Sequence, residues 1–248
     1  MSEVPVAVVA DEPPPDIETS SEGYAARFSG PAGEYLLEVQ DASTSALISR
    51  YADGSVLDVG GGHGQLLNLY AKHRMDVTVH GSDEACFARL DQDAAPFQTV
   101  VSDILKLPFE DRSFDVVVAV RLISHVEAWP DVLAEMCRVA RSAVIFDYPS
   151  KRSLNALTPL LFNLKRGIEK NTRTYALFSH RELSSVLTSL GFSEIAEYKQ
   201  FFLPMVIHRI LKGGKLPRIA ESFSRSIGLT RALGSPIMLR AERGTRKP

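Results

Sequence analysis

The run Ser55-Val56-Leu57-Asp58-Val59-Gly60-Gly61-Gly62-His63-Gly64-Gln65-Leu66-Leu67 constrains the fold more than any other stretch of this chain. Apolar and β-branched residues lead into a glycine-dense turn, and a helical pattern begins at once. This is the sequence form of a strand, a tight turn and a helix. Glycines at such a turn allow positive φ and let a ligand approach the backbone near a helix N-terminus.

Glycine spacing narrows the ligand. A dinucleotide fingerprint reads G-x-G-x-x-G. Gly60 and Gly62 satisfy its first two positions, but Gln65 stands at the third. The chain presents instead Gly60-x-Gly62-x-Gly64, with Asp58 two residues ahead. A glycine-rich connector in an ordinary α/β domain looks the same, so residues further along the chain must decide.

The chain has 248 residues, 45% of them apolar, enough for one α/β domain with additions. No apolar run approaches the roughly 18 residues that span a bilayer. Residues 1–10 lack the basic start and apolar core of a signal peptide. Cys86 and Cys137 lie in apolar, helix-like contexts without metal-type spacing, so no metal site is expected and a reduced, cytoplasmic protein is. Charge is uneven. Residues 200–248 hold ten Lys/Arg and two Glu, a net of +8, leaving −10 for residues 1–199 out of the total of −2. A basic terminal region suits an anionic substrate, a phospholipid surface or nucleic acid, or simply balances charge within one fold.

Periodicity supplies the rest of the architecture. Residues 1–22, with Pro5 and Pro13-Pro14-Pro15, read as a disordered tail, and 23–248 as a single domain. Apolar positions between 34 and 51 predict one or two helices. Strands are expected at 76–80, 97–101, 113–120, 143–146, 192–202 and 236–242. Helices are expected at 83–90, with Asp83 as N-cap, at 130–141, and at 179–190, which opens on the capping box Ser179-x-x-Glu182. The alternation implies a doubly wound, mostly parallel seven-stranded sheet. Two stretches exceed the scheme: 150–178 after strand five and 203–233 between strands six and seven. Both are expected to fold as helical insertions over the carboxyl ends of the strands, where open α/β sheets bind ligands.

Two blocks then identify a family. Val101-Ser102-Asp103-Ile104-Leu105-Lys106-Leu107-Pro108-Phe109 is followed by Ser113-Phe114-Asp115-Val116-Val117. Together with the glycine turn, these resemble the class I (Rossmann-like) S-adenosylmethionine-dependent methyltransferases: motif I, of form (V/L)LD-x-G-x-G-x-G, and the G-D-A-x-x-L-P-F…S-F-D-V-V block in order and spacing. The resemblance covers roughly residues 24–202. It implies S-adenosylmethionine as cofactor. Asp58 and Val59 would border the methionyl end, with Asp58 accepting from the ammonium or ordering the turn. Gly60, Gly62 and Gly64 would let the cofactor lie close. Asp103 would bond the adenine amino group, and Ile104 would donate its backbone N–H and pack on the ring. Tyr24, Arg27 and Phe28 resemble the N-terminal lid of many relatives.

The chain departs from the family at the end of strand two. An acidic residue usually holds the ribose there, whereas Gly81 stands here; Ser82 or Asp83 would substitute if the loop turns back. After strand four, Val120-Arg121-Leu122-Ile123-Ser124-His125-Val126 resembles the segment bordering the methionyl chain and the transferring methyl, which places Arg121 at the cofactor. His125 and Asp147 are the candidates for a general base, each with a structural alternative: closing a short helix, and ending strand five. Methyl transfer needs a base only when the acceptor must lose a proton; positioning and exclusion of water contribute most.

No Asn-Pro-Pro-Tyr-type tetrapeptide follows strand four; Val118-Ala119-Val120-Arg121 stands there. This favours an oxygen or carbon acceptor on a small, lipid-like or glycosylated metabolite over nucleic acid. The 203–233 insertion is apolar and basic together, suited to a lipid-like or anionic acceptor or to peripheral contact with a membrane, and equally to an ordinary cover helix. A nicotinamide oxidoreductase is opposed by Gln65. A non-catalytic module of the same fold is favoured by Gly81, and an RNA methylase by the basic terminal region.

Overall fold

Strand residues that alternate between two apolar faces need cover on both. The computed structural model describes residues 14–90, 96–154, 175–211 and 214–244. Among these, β1 (Ser55–Val59), β2 (Asp76–Gly81), β3 (Phe97–Val101), β4 (Phe114–Ala119), β5 (Ala140–Tyr148), β6 (Phe192–Lys199) and β7 (Ile237–Arg243) form one sheet in the order β3-β2-β1-β4-β5-β7-β6. Strands β1 to β5 pair in parallel, and β7 runs antiparallel to both β5 and β6. In β4, Val117 and Ala119 enter the core on one face, while Val116 and Val118 enter the core on the other. This is the period of two expected of a central strand buried on both sides.

Helices cover each face. On one lie α5 (Trp129–Val139) and α6 (His180–Ser189), contributing Val132, Leu133, Leu183 and Leu187. On the other lie α3 (Gly30–Ile48) and α4 (Leu67–Lys72), contributing Leu47, Ile48, Leu67 and Tyr70. The capping box at Ser179 and Glu182 forms as the sequence predicts. No helix among the described residues is long and apolar enough to cross a membrane, and no cluster of His, Cys, Asp or Glu among them has metal-holding geometry.

Several expectations need correction. The tail drawn over 1–22 is ordered from residue 14: α1 (Pro15–Thr19) and α2 (Glu22–Ala25) pack onto the domain, and Asp16 is 1% exposed. Residues 1–13 lie outside the described residues. The helix expected at 83–90 is only a 3₁₀ turn, Glu84–Phe87, which Asp83 caps through its side chain. Gly81 lets that turn in: a Cβ there would sit 2.8 Å from Cys86 Cβ. Strand five is longer than the sequence suggests, because β5 follows α5 directly at Ala140.

Both insertions leave the sheet at its carboxyl edge. The ends of the first are zipped together, with Phe178 N–H on Pro149 O at 2.9 Å and Lys151 N–H on Phe178 O at 2.8 Å. The helices expected inside it fall largely on 155–174, outside the described residues. The described residues of the second form three helices: α7 (Met205–Ile210), α8 (Lys215–Ser226) and α9 (Leu229–Leu233).

Candidate functional site

The glycine turn is where the local sequence is most tightly determined. Gly60 and Gly64 have φ of 69° and 68°, in the left-handed region that a side chain disfavours. Gly61 is glycine for another reason: a Cβ would lie 2.3 Å from Asp58 Cγ. At Gly62 a Cβ would lie 2.3 Å from Cys86 O and 2.6 Å from Ser20 Oγ. The close approach these glycines permit is used, in this structure, by the protein's own residues.

Asp58 and Val59 sit at the end of β1, both buried. Burial pushes the Asp58 carboxyl up to about 7. Its Oδ1 has no hydrogen-bond partner, and the neighbouring Tyr70 hydroxyl closes no bond of normal geometry with it. A buried carboxyl with an orphaned oxygen is suited to accept a donor brought by a ligand. His63, also in the turn, accepts the Gln65 N–H at Nδ1 (3.2 Å), and burial, helped by the Arg121 charge, lowers its pKa to about 3, so the ring is neutral.

At the end of β2, Ser82 donates its backbone N–H and its hydroxyl to Asp16, at 2.6 and 2.7 Å. The Cys86 thiol faces the same carboxylate at 3.5 Å, and Asp16 Cβ lies 3.4 Å from the place a Cβ on Gly60 would occupy. Helix α1 therefore bridges the ends of β1 and β2, over the turn. Asp83 points outward; its Oδ1 holds Ala85 N–H. His80 Nε2 bonds Ser102 Oγ at 2.9 Å and ties β2 to the end of β3. Asp103, just beyond β3, is exposed and accepts Leu105 N–H at 2.9 Å, while Ile104 is half-buried against the core.

Beyond β4, Arg121 has φ of 60°, a strained value for a non-glycine residue. Asp147, at the carboxyl end of β5, accepts its backbone N–H at 2.5 Å. Burial raises the Asp147 carboxyl above its ordinary range. The Arg121 guanidinium bonds Gln65 Oε1 and Gln40 Oε1 and lies 3.8 Å from the centroid of the Phe28 ring. The segment carrying Tyr24, Arg27 and Phe28 thus packs over the end of β4. His125 ends the 3₁₀ turn Ile123–His125, half-buried, its ring 6.5 Å from that of Tyr175.

The structure thus brings Gly60, Gly62 and Ser82 together beneath α1. It gathers Arg121, Gln65, Gln40 and Asp147 around the end of β4, and it leaves Asp83 and Asp103 at the rim. The sequence reading missed Asp16 and Ser20, which it placed in the tail, and Gln40. One signal was present: Pro15 followed by Asp16 and Glu18 is a helix start, with proline at N1 and acids in the first turn.

Residues 57–146 match a family model described as a methyltransferase domain. Solved structures share the fold at low identity. Magnesium protoporphyrin IX methyltransferase from Synechocystis, with bound S-adenosylhomocysteine, is 15% identical with a TM-score of 0.62, covering 91% of this chain and 96% of that one. A methyltransferase from Haloferax volcanii, solved with the Trm112 activator, is 15% identical with a TM-score of 0.59, covering 94% and 100%. An S-adenosylmethionine-dependent methyltransferase from Archaeoglobus fulgidus is 17% identical with a TM-score of 0.55, covering 84% and 94%. No curated protein matches the sequence. Residues 57–146 thus match a methyltransferase domain, and the chain shares the Rossmann-like fold of solved S-adenosylmethionine-dependent methyltransferases.

The residues fit that cofactor. Gly60 and Gly64 hold the turn in the left-handed conformation, and a buried carboxyl with an orphaned oxygen lies beneath it. The space directly over the turn belongs, in this conformation, to α1.

Proposed function

We propose that this enzyme transfers a methyl group from S-adenosylmethionine to an oxygen or carbon of a small, lipid-like or glycosylated metabolite. The observation that carries the reading is the left-handed glycine turn at the end of β1, with a buried carboxyl beneath it whose Oδ1 has no partner. Neighbours of the same fold carry S-adenosylhomocysteine and S-adenosylmethionine.

The cofactor supplies an electrophilic methyl on a sulfonium. The chain's residues do the rest. Residues 60–64 take the methionyl portion against bare backbone, with Asp58 accepting from its ammonium. Ser82, released from Asp16, serves the ribose. Asp103 keeps acceptor capacity beyond its one bond to Leu105 and reads the adenine amino group, while the Ile104 backbone N–H meets a ring nitrogen. Arg121, held in place by Asp147, Gln40 and Gln65, borders the methionyl chain. An acceptor hydroxyl passes its proton to Asp147, whose raised pKa makes it a better base than an ordinary carboxylate, or to His125. Helix α1 moves aside to admit the cofactor.

Two measurements test this. Calorimetric titration with S-adenosylhomocysteine yields heat and one site per chain; silence, without a thermal shift, overturns the cofactor assignment. Incubation of a metabolite extract with isotopically labelled methyl donor, read by mass spectrometry, yields a labelled small apolar product. Label confined to RNA or protein overturns the acceptor class.

A further inference from the structure

Helix α8 is built inside out. Leu216, Ile219, Phe223 and Ile227 recur at spacings of three, four and four, which aligns them on one face. An amphipathic helix normally turns such a face to the core. Here these residues are 73%, 62%, 62% and 54% exposed.

The polar side does the anchoring instead. Pro217, Glu221 and Ser224 are its buried residues. Glu221, 2% exposed, accepts the backbone N–H groups of Phe202 and Leu203 at 2.9 and 2.8 Å and faces His208 Nε2 at 3.1 Å. Arg225 donates to Gln200 O, and Arg218 to Glu38. Ile210 and Leu211, 49% and 43% exposed, stand just before α8 in the chain, at the end of α7. A surface of this kind marks an interaction site rather than scattered exposure.

Charge selects the occupant. Glu221 is the only acid in 203–233, and it is buried, whereas Lys215, Arg225 and Arg231 are exposed. The insertion therefore turns apolar side chains and cations to solvent, with no exposed anion of its own among its described residues. Two copies meeting face to face would bring these cations together without compensating acids, which disfavours a self-complementary contact. A bilayer containing anionic lipid satisfies both features: acyl chains for the stripe and headgroups for the cations.

We infer that α8, with the end of α7, is an interfacial docking face for an anionic phospholipid surface. The insertion springs from the carboxyl end of β6 and returns at the start of β7, at the same edge of the sheet as the glycine turn. Docking therefore brings the site's edge of the sheet to the lipid. The inference stands on this helix and does not depend on the acceptor's identity.

Sedimentation of the full chain with phosphatidylcholine vesicles containing about 30 mol% phosphatidylglycerol tests it. The expected result is co-sedimentation that weakens with salt and with pure phosphatidylcholine. It falls at least about tenfold in the double variant Ile219→Asp/Phe223→Asp, which keeps its circular dichroism spectrum. No binding to anionic vesicles overturns the inference, as does unchanged binding by the double variant. A dimer by light scattering that the double variant splits, without vesicle binding, assigns the face to a second copy instead. S-adenosylhomocysteine titration of both proteins reports on the cofactor separately, so failure of docking and failure of the methyltransferase reading are distinguishable.

Discussion

Asp16 and Ser82, sixty-six residues apart, form a closed two-bond contact in which one carboxylate takes both the backbone N–H and the hydroxyl of the serine. The contact fastens α1 over the glycine turn, where the cofactor is proposed to sit. Folding and cofactor binding therefore compete for the same space. Asp16→Ala is expected to lower the stability of the free protein by about 2 kcal/mol, from the loss of charge-assisted hydrogen bonds, and to tighten S-adenosylhomocysteine binding about tenfold or more. Asp16→Cys places a thiol near Cys86, and oxidation is expected to pin α1 and block binding that reduction restores. Calorimetry in both redox states measures it. Weaker binding by Asp16→Ala would instead make the carboxylate a cofactor ligand.

Gly62 is expected to tolerate no side chain. A Cβ there meets the Cys86 carbonyl at 2.3 Å and Ser20 Oγ at 2.6 Å, and a backbone oxygen cannot rotate away. Gly62→Ala should cost about 2–3 kcal/mol through overpacking and abolish the cofactor's thermal shift. Gly23→Ala is the control, because its nearest neighbour is Ser21 Oγ at 3.9 Å. Differential scanning fluorimetry with and without S-adenosylhomocysteine compares the two.

Asp58 should impose a pH dependence on stability. Burial raises its carboxyl to about 7 in the folded protein, against the ordinary 3.8. The fold therefore holds the proton more tightly than the unfolded chain does. Its contribution is fully present below the ordinary value and is lost as pH rises towards 7, by up to about 4 kcal/mol. Asp58→Asn removes that term. The difference in urea-unfolding free energy between wild type and Asp58→Asn is expected to shift in the variant's favour from pH 4 to pH 8, and a flat difference would show that the carboxyl is ionised in place.

Glu221 anchors α8 by its polar side. Glu221→Ala strands two backbone N–H groups and the His208 ring, and should destabilise by about 3 kcal/mol. Glu221→Gln keeps acceptor capacity and should recover part of the loss. Denaturant midpoints rank the three proteins.

Much of the family block turns out to serve the scaffold. Leu107 is buried, its N–H is held by Glu135, and Arg138 bonds the carbonyls of Leu107 and Phe109. Asp115 clamps the start of β1 through Ser55 N–H and Oγ. The block was legible because its residues are contiguous in the chain, although the partners they hold lie 28 to 60 residues away. The site was legible where the backbone itself demanded glycine. It was not legible at Asp16, Ser20 and Gln40, whose roles arise only when distant segments meet.

The order of strands and helices follows from this sequence alone, because periods of two and of three to four, with glycine and proline at the turns, are properties of a few neighbouring residues. The seating of α1 and the facing of α8 do not. The stripe on α8 says that the helix has two unlike faces. Three donors converging on Glu221 decide which face turns inward, and that convergence exists only once the chain is folded.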